Sequence, residues 1–230
     1  MQGASHRKDN KWSEGVNVFL QQYDVDYCCL QESGIIANSY EEYGTTDSGV
    51  VLYKQKRENK RGPGRNLKYV VYYEWDVGGK RNNLAVVSFT KVQPRAVRLL
   101  YPKKKSPTQK KLPVWRPALG VDFGRFVVFS LHAISPEGPD VWNLLHEIGT
   151  KVKAPWIAAG DYNRQPDTVT QLPPGAVLRP PDGPTHSATD NKKGLVSKFD
   201  YCTQKGILKQ DEGKVLGTAL SDHLPVLFEI

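Results

Sequence analysis

Residues 156–163 read WIAAGDYN. The apolar run Trp156–Ala159 has the length and content of a buried strand, and it stops at Gly160, where the backbone can turn tightly and approach a ligand. Asp161 and Asn163 follow two apart, so an extended backbone points both side chains the same way. A carboxylate and an amide side by side at the rim of a sheet suit a hard cation or an incoming phosphate. The ordinary alternative is an Asp/Asn turn capping a helix.

Working outward, the chain is rich in strands. Residues 25–31 (VDYCCLQ) form a short apolar run that ends at Glu32. Gly49–Tyr53, Tyr69–Trp75, Leu84–Phe89 and Ala96–Tyr101 are rich in β-branched and aromatic residues. Leu119–Phe123 and Phe126–Leu131 flank the turn Gly124-Arg125, and Phe199–Thr203, Val215–Leu216 and Pro225–Ile230 read as late strands. Only two helices are clear. Residues 11–23 place Trp12, Val16, Phe19, Leu20 and Tyr23 on one face, and Val141–Val152 does the same with Pro139 just ahead of it. Residues 164–198, rich in Pro, Gly, Thr and Lys, read as a long surface loop with one helical turn. Many strands with few helices predict an α/β domain of two packed mixed sheets flanked by helices, a four-layered sandwich over residues 1–230.

Other chemistry-bearing residues fall at the ends of these strands. Glu32 closes one strand and His132 another. Ser221-Asp222-His223-Leu224-Pro225 stands before the last strand, where adjacent side chains diverge. Asp222 can then face a cation while His223 faces a scissile bond, and histidine is the side chain that takes and gives a proton near neutral pH. Asp200, in Lys-Phe-Asp-Tyr, can hold an imidazole in its working tautomer. Arg81, Asn83 and Arg116 lie beside strands and suit phosphate oxygens. Each has an ordinary alternative: a surface Glu, a satisfied turn or strand-end His, an edge-strand Asp, solvated loop cations. His6, His146 and His186 have no comparable context, and His146 is expected to be exposed.

Composition sets bounds. With 230 residues and 39% hydrophobic content the chain can bury one large core but is short for two. The net charge of +8 suits an anionic partner such as nucleic acid or a membrane surface. Apolar runs are strand-length, which predicts no transmembrane helix, and no signal-peptide pattern opens the chain. Adjacent Cys28 and Cys29 should point to opposite faces of a strand, and with Cys202 they read as buried small hydrophobes rather than a disulfide scaffold. The lysine-rich stretch Pro102–Lys111 reads as a solvated loop, a phosphate-contacting loop or a nuclear import signal.

The segments Leu30-Gln31-Glu32, residues 78–85 (GGKRNNLA), Arg116-Pro117, Gly160-Asp161-Tyr162-Asn163, Asp200-Tyr201 and Ser221-Asp222-His223 together resemble the endonuclease/exonuclease/phosphatase superfamily, to which pancreatic deoxyribonuclease belongs. Gln2-Gly3-Ala4-Ser5 and His132-Ala133-Ile134 are most similar to the B subunits of cytolethal distending toxins. The resemblance implies the DNase I-like sandwich with a site at one rim. It implies Mg²⁺, with Mn²⁺ or Ca²⁺ as substitutes, held mainly by Glu32, with Asp161, Asn163 and Asp222 near the ion or the phosphate. His223 would activate water, Asp200 would orient it, and His132 would protonate the leaving 3′ oxygen or stabilise the phosphorane. Arg81, Arg116 and Asn163 would hold backbone phosphates. The family's first strand, ending Trp-Asn with an amide ligand for the metal, would fall ahead of Met1, so this sequence is expected to lack that strand and ligand.

Three functions follow from this reading. The first is a Mg²⁺-dependent DNase, the active subunit of a genotoxin that travels with delivery subunits and acts in a target-cell nucleus. The second is a phosphatase of phosphoinositide lipids using the same site. The third is a catalytically degenerate chain that binds nucleic acid or toxin partners through its basic surface.

Overall fold

The structure, a computed structural model, describes residues 16–56, 69–74, 82–90, 92–103, 115–187, 194–217 and 222–230. In chain order its elements are α1 (Asn17–Gln22), β1 (Tyr27–Gln31), β2 (Tyr40–Thr45), β3 (Val51–Gln55), β4 (Tyr69–Glu74), β5 (Asn83–Ser88), β6 (Ala96–Leu100), β7 (Ala118–Asp122) and β8 (Val127–His132). There follow α2 (Val141–Lys151), β9 (Trp156–Asp161), β10 (Ala176–Arg179), β11 (His186–Ser187), β12 (Leu195–Ser197), β13 (Asp200–Lys205), β14 (Lys214–Val215) and β15 (Val226–Leu227). One sheet runs β1-β5-β4-β3-β2 and the other β10-β13-β9-β8-β7-β6.

Period-two alternation explains why these strands stack into layers. In β5, Leu84 and Val86 enter the core between the sheets, while Ala85 and Val87 face the other way, toward Val16 beside α1. In β8 and β9, Val128 and Ile157 join the same central core. Their neighbours Phe129, Leu131, Trp156 and Ala158 pack against Leu144, Leu145 and Ile148 of α2. The result is helix, sheet, sheet, helix, as the sequence predicts. Cys28 and Cys29 do face opposite cores, and all three cysteines are free thiols. His146 is exposed on α2.

Several expectations need correction. The five-stranded sheet is antiparallel throughout its described pairs, so only the six-stranded one is mixed, through the parallel pair β8–β9 bridged by α2. β2 was not expected: its Glu41 and Glu42 are exposed on an edge strand and interrupt the apolar alternation. Residues 164–198 are more than loop, since they hold the edge strand β10 and the short pair β11–β12 as well as one turn of 3₁₀ helix at Pro166–Thr168. Residues 11–15 of the first expected helix and 104–111 of the lysine-rich stretch lie outside the described residues.

A polar bridge links the two sheets. Buried Ser130 of β8 donates to the Leu30 carbonyl of β1 at 3.0 Å, and Gln31 Nε2 donates back to Ser130 Oγ at 3.0 Å. Ser130→Ala removes both of these hydrogen bonds between the sheets and should cost about 1–3 kcal/mol. A fall in Tm of about 2–10 °C is the expected result; an unchanged Tm would show that the bridge adds nothing.

Candidate active site

Sheet register lines up three of the expected residues. β8 and β9 are parallel with His132 opposite Asp161, and β13 runs antiparallel to β9 with Asp200 opposite Asp161. Three neighbouring strands therefore end at one rim with His132, Asp161 and Asp200 in a row. Gly160 makes the row possible: an added Cβ there would lie 2.0 Å from the Leu131 carbonyl oxygen and 2.9 Å from Gln31 Nε2.

The fourth residue arrives from another part of the chain. His223 is fixed by an isolated bridge to His186, by Ser187 N–H donating to the Asp222 carbonyl at 3.1 Å, and by Leu224 N–H donating to the Thr185 carbonyl at 2.7 Å. Its Nδ1 lies 2.8 Å from Asp200 Oδ2, and its Nε2 lies 4.0 Å from Asp161 Oδ2. His132 Nε2 approaches the same Asp161 oxygen at 3.5 Å. Asp161 is thus flanked by two histidines. Buried Thr185 braces the arrangement from behind, its Oγ1 accepting the N–H groups of Phe199 at 3.0 Å and Asp200 at 3.1 Å.

The groups differ sharply in protonation. Burial, and then the Arg116 charge, push His132 down to about 2, so it is a neutral imidazole. Burial, and then Asp200, raise Asp161 to about 7. Burial alone would lower His223, but the Asp200 hydrogen bond and the charges of Asp200 and Asp161 outweigh it and the net shift is upward. Asp200→Asn leaves Asp161 alone to oppose burial, so the His223 pKa should fall. An NMR titration of the imidazole reads this directly; a pKa that stays raised would show that Asp200 is not its cause.

Asn163 stands beside Asp161. Its Nδ2 donates to Asp161 Oδ2 and to the Ala133 carbonyl, both at 3.0 Å, and its backbone N–H donates to Asp161 Oδ1 at 2.7 Å. The carboxamide oxygen is then the atom with acceptor capacity for a cation. Arg116 Nη1 donates to the same Ala133 carbonyl at 3.3 Å, which places it at the His132 end of the rim. Glu32 directly follows β1 in the other sheet, its N–H donating to the Asn83 carbonyl at 2.9 Å. Glu32 and Asn163 both have left-handed backbones, φ +51° and +48°, a strain of about 1–3 kcal/mol each that concentrates at this rim.

Not every expected residue joins the row. Among the described residues, Asp161, Asp200 and His223 cluster as one possible ligand set and His186, Asp222 and His223 as another, and Glu32 belongs to neither. Asn83 is buried, its Oδ1 accepting the Gly34 N–H at 3.0 Å and its Nδ2 donating to Tyr72 Oη at 3.1 Å. It shapes the turn that follows Glu32 instead of presenting a donor to phosphate. Arg81 and Ser221 lie outside the described residues. The sequence reading passed over Thr185 and His186, because β11 is two residues long and carries no periodicity to read.

The donor chemistry fits a hard divalent cation. Asp161 is buried beside Asp200, an arrangement that disfavours two negative charges and that a cation relieves. Asp222 Oδ1 is buried with no hydrogen-bond partner among the described residues.

Behind the rim, the residues that follow the two aspartates turn inward. The rings of Tyr162 and Tyr201 stack with centroids 3.9 Å apart and planes 18° from parallel, both buried in the core under α2.

No family model matches the chain. Known structures share its fold: the Haemophilus ducreyi cytolethal distending toxin aligns over 98% of this chain and 93% of that one, with a TM-score of 0.77 and 24% identity. An endonuclease/exonuclease/phosphatase family protein from Leptotrichia buccalis aligns over 96% and 95%, with a TM-score of 0.58 and 15% identity. These likenesses define the fold: the chain has the DNase I-like sandwich of two packed sheets seen in endonuclease/exonuclease/phosphatase proteins. CdtB, the biologically active subunit of cytolethal distending toxin, shares this fold over 98% of the chain and 92% of its own, with a TM-score of 0.78 and 22% identity. The chain is 26% identical over 178 residues to the cytolethal distending toxin CdtB homolog of Salmonella typhi, a match covering 73% of this chain and 62% of that protein's length.

Proposed function

We propose that the protein is a Mg²⁺-dependent endonuclease that hydrolyses DNA phosphodiesters as the active subunit of a cytolethal distending toxin-like genotoxin. The observation that carries this reading is the Asp200–His223 pair at 2.8 Å, set beside Asp161 and His132 on one rim. With Nδ1–H donated to Asp200, His223 keeps the Nε2 lone pair as a base for the attacking water. His132 is held neutral at about 2, which favours hydrogen-bond donation to the phosphoryl or leaving oxygen over delivery of a full proton. Arg116, at the same end of the rim, supplies fixed positive charge for the phosphate. Glu32, Asp222, Asp161 and Asn163 would hold Mg²⁺, which when bound polarises the phosphoryl oxygen and offsets developing charge.

The net charge of +8 supports a polyanionic substrate. Among the described residues no helix is long and apolar enough to cross a membrane. The test is relaxation of supercoiled plasmid with Mg²⁺ and with EDTA, run beside phosphate release from a trisphosphorylated inositol lipid. Metal-dependent nicking supports the nuclease. Lipid phosphate release without nicking would replace it with the phosphatase. Salt-sensitive DNA binding with neither activity would leave a binding protein.

A further inference from the structure

His186 is unused by this chemistry, yet it is built into the rim. Its ring lies 4.4 Å from that of His223 and stacks on Phe199 at 5.3 Å, and the backbone bridge fixes the two histidines relative to each other. Its Nε2 is 3.7 Å from Asp222 Oδ2. One donor atom from each of His186, Asp222 and His223 falls within 4.8 Å of the other two. The second oxygen of Asp222, Oδ1, is buried without a hydrogen-bond partner among the described residues. A desolvated carboxylate oxygen with nothing to accept is costly unless a cation or donor completes it.

The donor types discriminate between cations. A tetrahedral ion about 2.0–2.1 Å from each donor sets those donors about 3.4 Å apart, close to the spacing of His186 and Asp222. Two imidazoles and one carboxylate suit zinc and its neighbours, whereas Mg²⁺ takes oxygen. His223 Nδ1 lies 2.8 Å from Asp200 Oδ2 and Nε2 lies 4.0 Å from Asp161 Oδ2, so a cation bound through Nε2 would compete with Asp161 for it. We propose that His186, Asp222 and His223 form a second cation site, selective for Zn²⁺-like transition metals, whose occupancy shuts the hydrolytic site. Coordination takes the His223 lone pair that would accept the proton of water, and it engages Asp222. The binding stands on the geometry alone, while its inhibitory consequence rests on the reading of His223 as the base.

The experiment titrates Zn²⁺ into the full chain in excess Mg²⁺ and follows the imidazole nitrogens of His186 and His223 by NMR, with binding measured by calorimetry. One Zn²⁺ per chain is expected, shifting both histidines, and His186→Gln should weaken binding about tenfold or more. Zinc that leaves His186 unshifted, or that binds His186→Gln as tightly as wild type, would overturn the site, the ion then sitting with Asp161 and Asp200. The wild-type shifts need no folded variant, and none of these readouts needs turnover, so a chain inactive on DNA still decides the binding. If wild type nicks DNA, Zn²⁺ should suppress nicking over the same range that shifts His186, and undiminished nicking at full occupancy would remove the inhibitory role.

Discussion

His223→Ala is expected to reduce Mg²⁺-dependent nicking by about 10²–10⁴-fold, the usual contribution of a positioned general base, equivalent to about 3–5 kcal/mol of lost transition-state stabilisation. The loss should appear in kcat with little change in DNA binding, because His223 is held by Asp200 and the β11 segment and not by the Arg116 end of the rim. The pH profile carries a second signature. His223 accepts a proton only when neutral, and its raised pKa places the acid limb above the ordinary histidine range. In Asp200→Asn that limb should move to lower pH while the plateau drops. Nicking by His223→Ala within a factor of a few of wild type would show that the base lies elsewhere.

The second large effect is structural. Gly160→Ala puts a methyl group 2.0 Å from the Leu131 carbonyl oxygen, at a backbone φ of +155° that side chains avoid. Backbone atoms cannot swing away as a flexible side chain does, so the parallel pairing of β8 with β9 must open at its end. Strain and overpacking together should cost about 3 kcal/mol or more, read by chemical denaturation. The same opening separates His132 from Asp161, so activity should fall further than stability alone explains, and the His132 pKa should rise toward that of a solvated imidazole as burial is relieved. A Gly160→Ala chain of native stability and native His132 titration would mean that the rim does not depend on this close approach.

The parts of the fold written in long periodic segments were legible in the sequence. Val127–His132, Trp156–Asp161 and Val141–Lys151 announce themselves by apolar run or helical spacing, and together they form the parallel unit that carries His132 and Asp161. β2, β10 and β11 were not: β2 is an edge strand with exposed charges, β10 is four residues long and ends in a buried arginine, and the two residues of β11 leave no period to detect. The site divides the same way. Asp200 and His223 were legible as chemical types, but their 2.8 Å pairing depends on Thr185, whose hydroxyl fixes the Asp200 backbone from a segment that reads as loop. Asn83 misled because an Asn after an Arg looks like a phosphate donor, while its neighbours Ser33 and Gly34 lie about fifty positions earlier in the chain and claim its carboxamide oxygen.

The Tyr162–Tyr201 stack gives the molecule an internal optical gauge. Each ring is one peptide bond from a rim aspartate, and the alternation that turns Asp161 and Asp200 to the rim turns these rings the other way, into contact at 3.9 Å. Two parallel phenols at that separation, in a rigid and chiral setting, couple their transitions, so near-ultraviolet circular dichroism should report the spacing of β9 and β13 without any label. A change in that signal when a cation or nucleic acid binds would register movement of the two rim strands, and its persistence in a silent variant would separate lost chemistry from lost architecture.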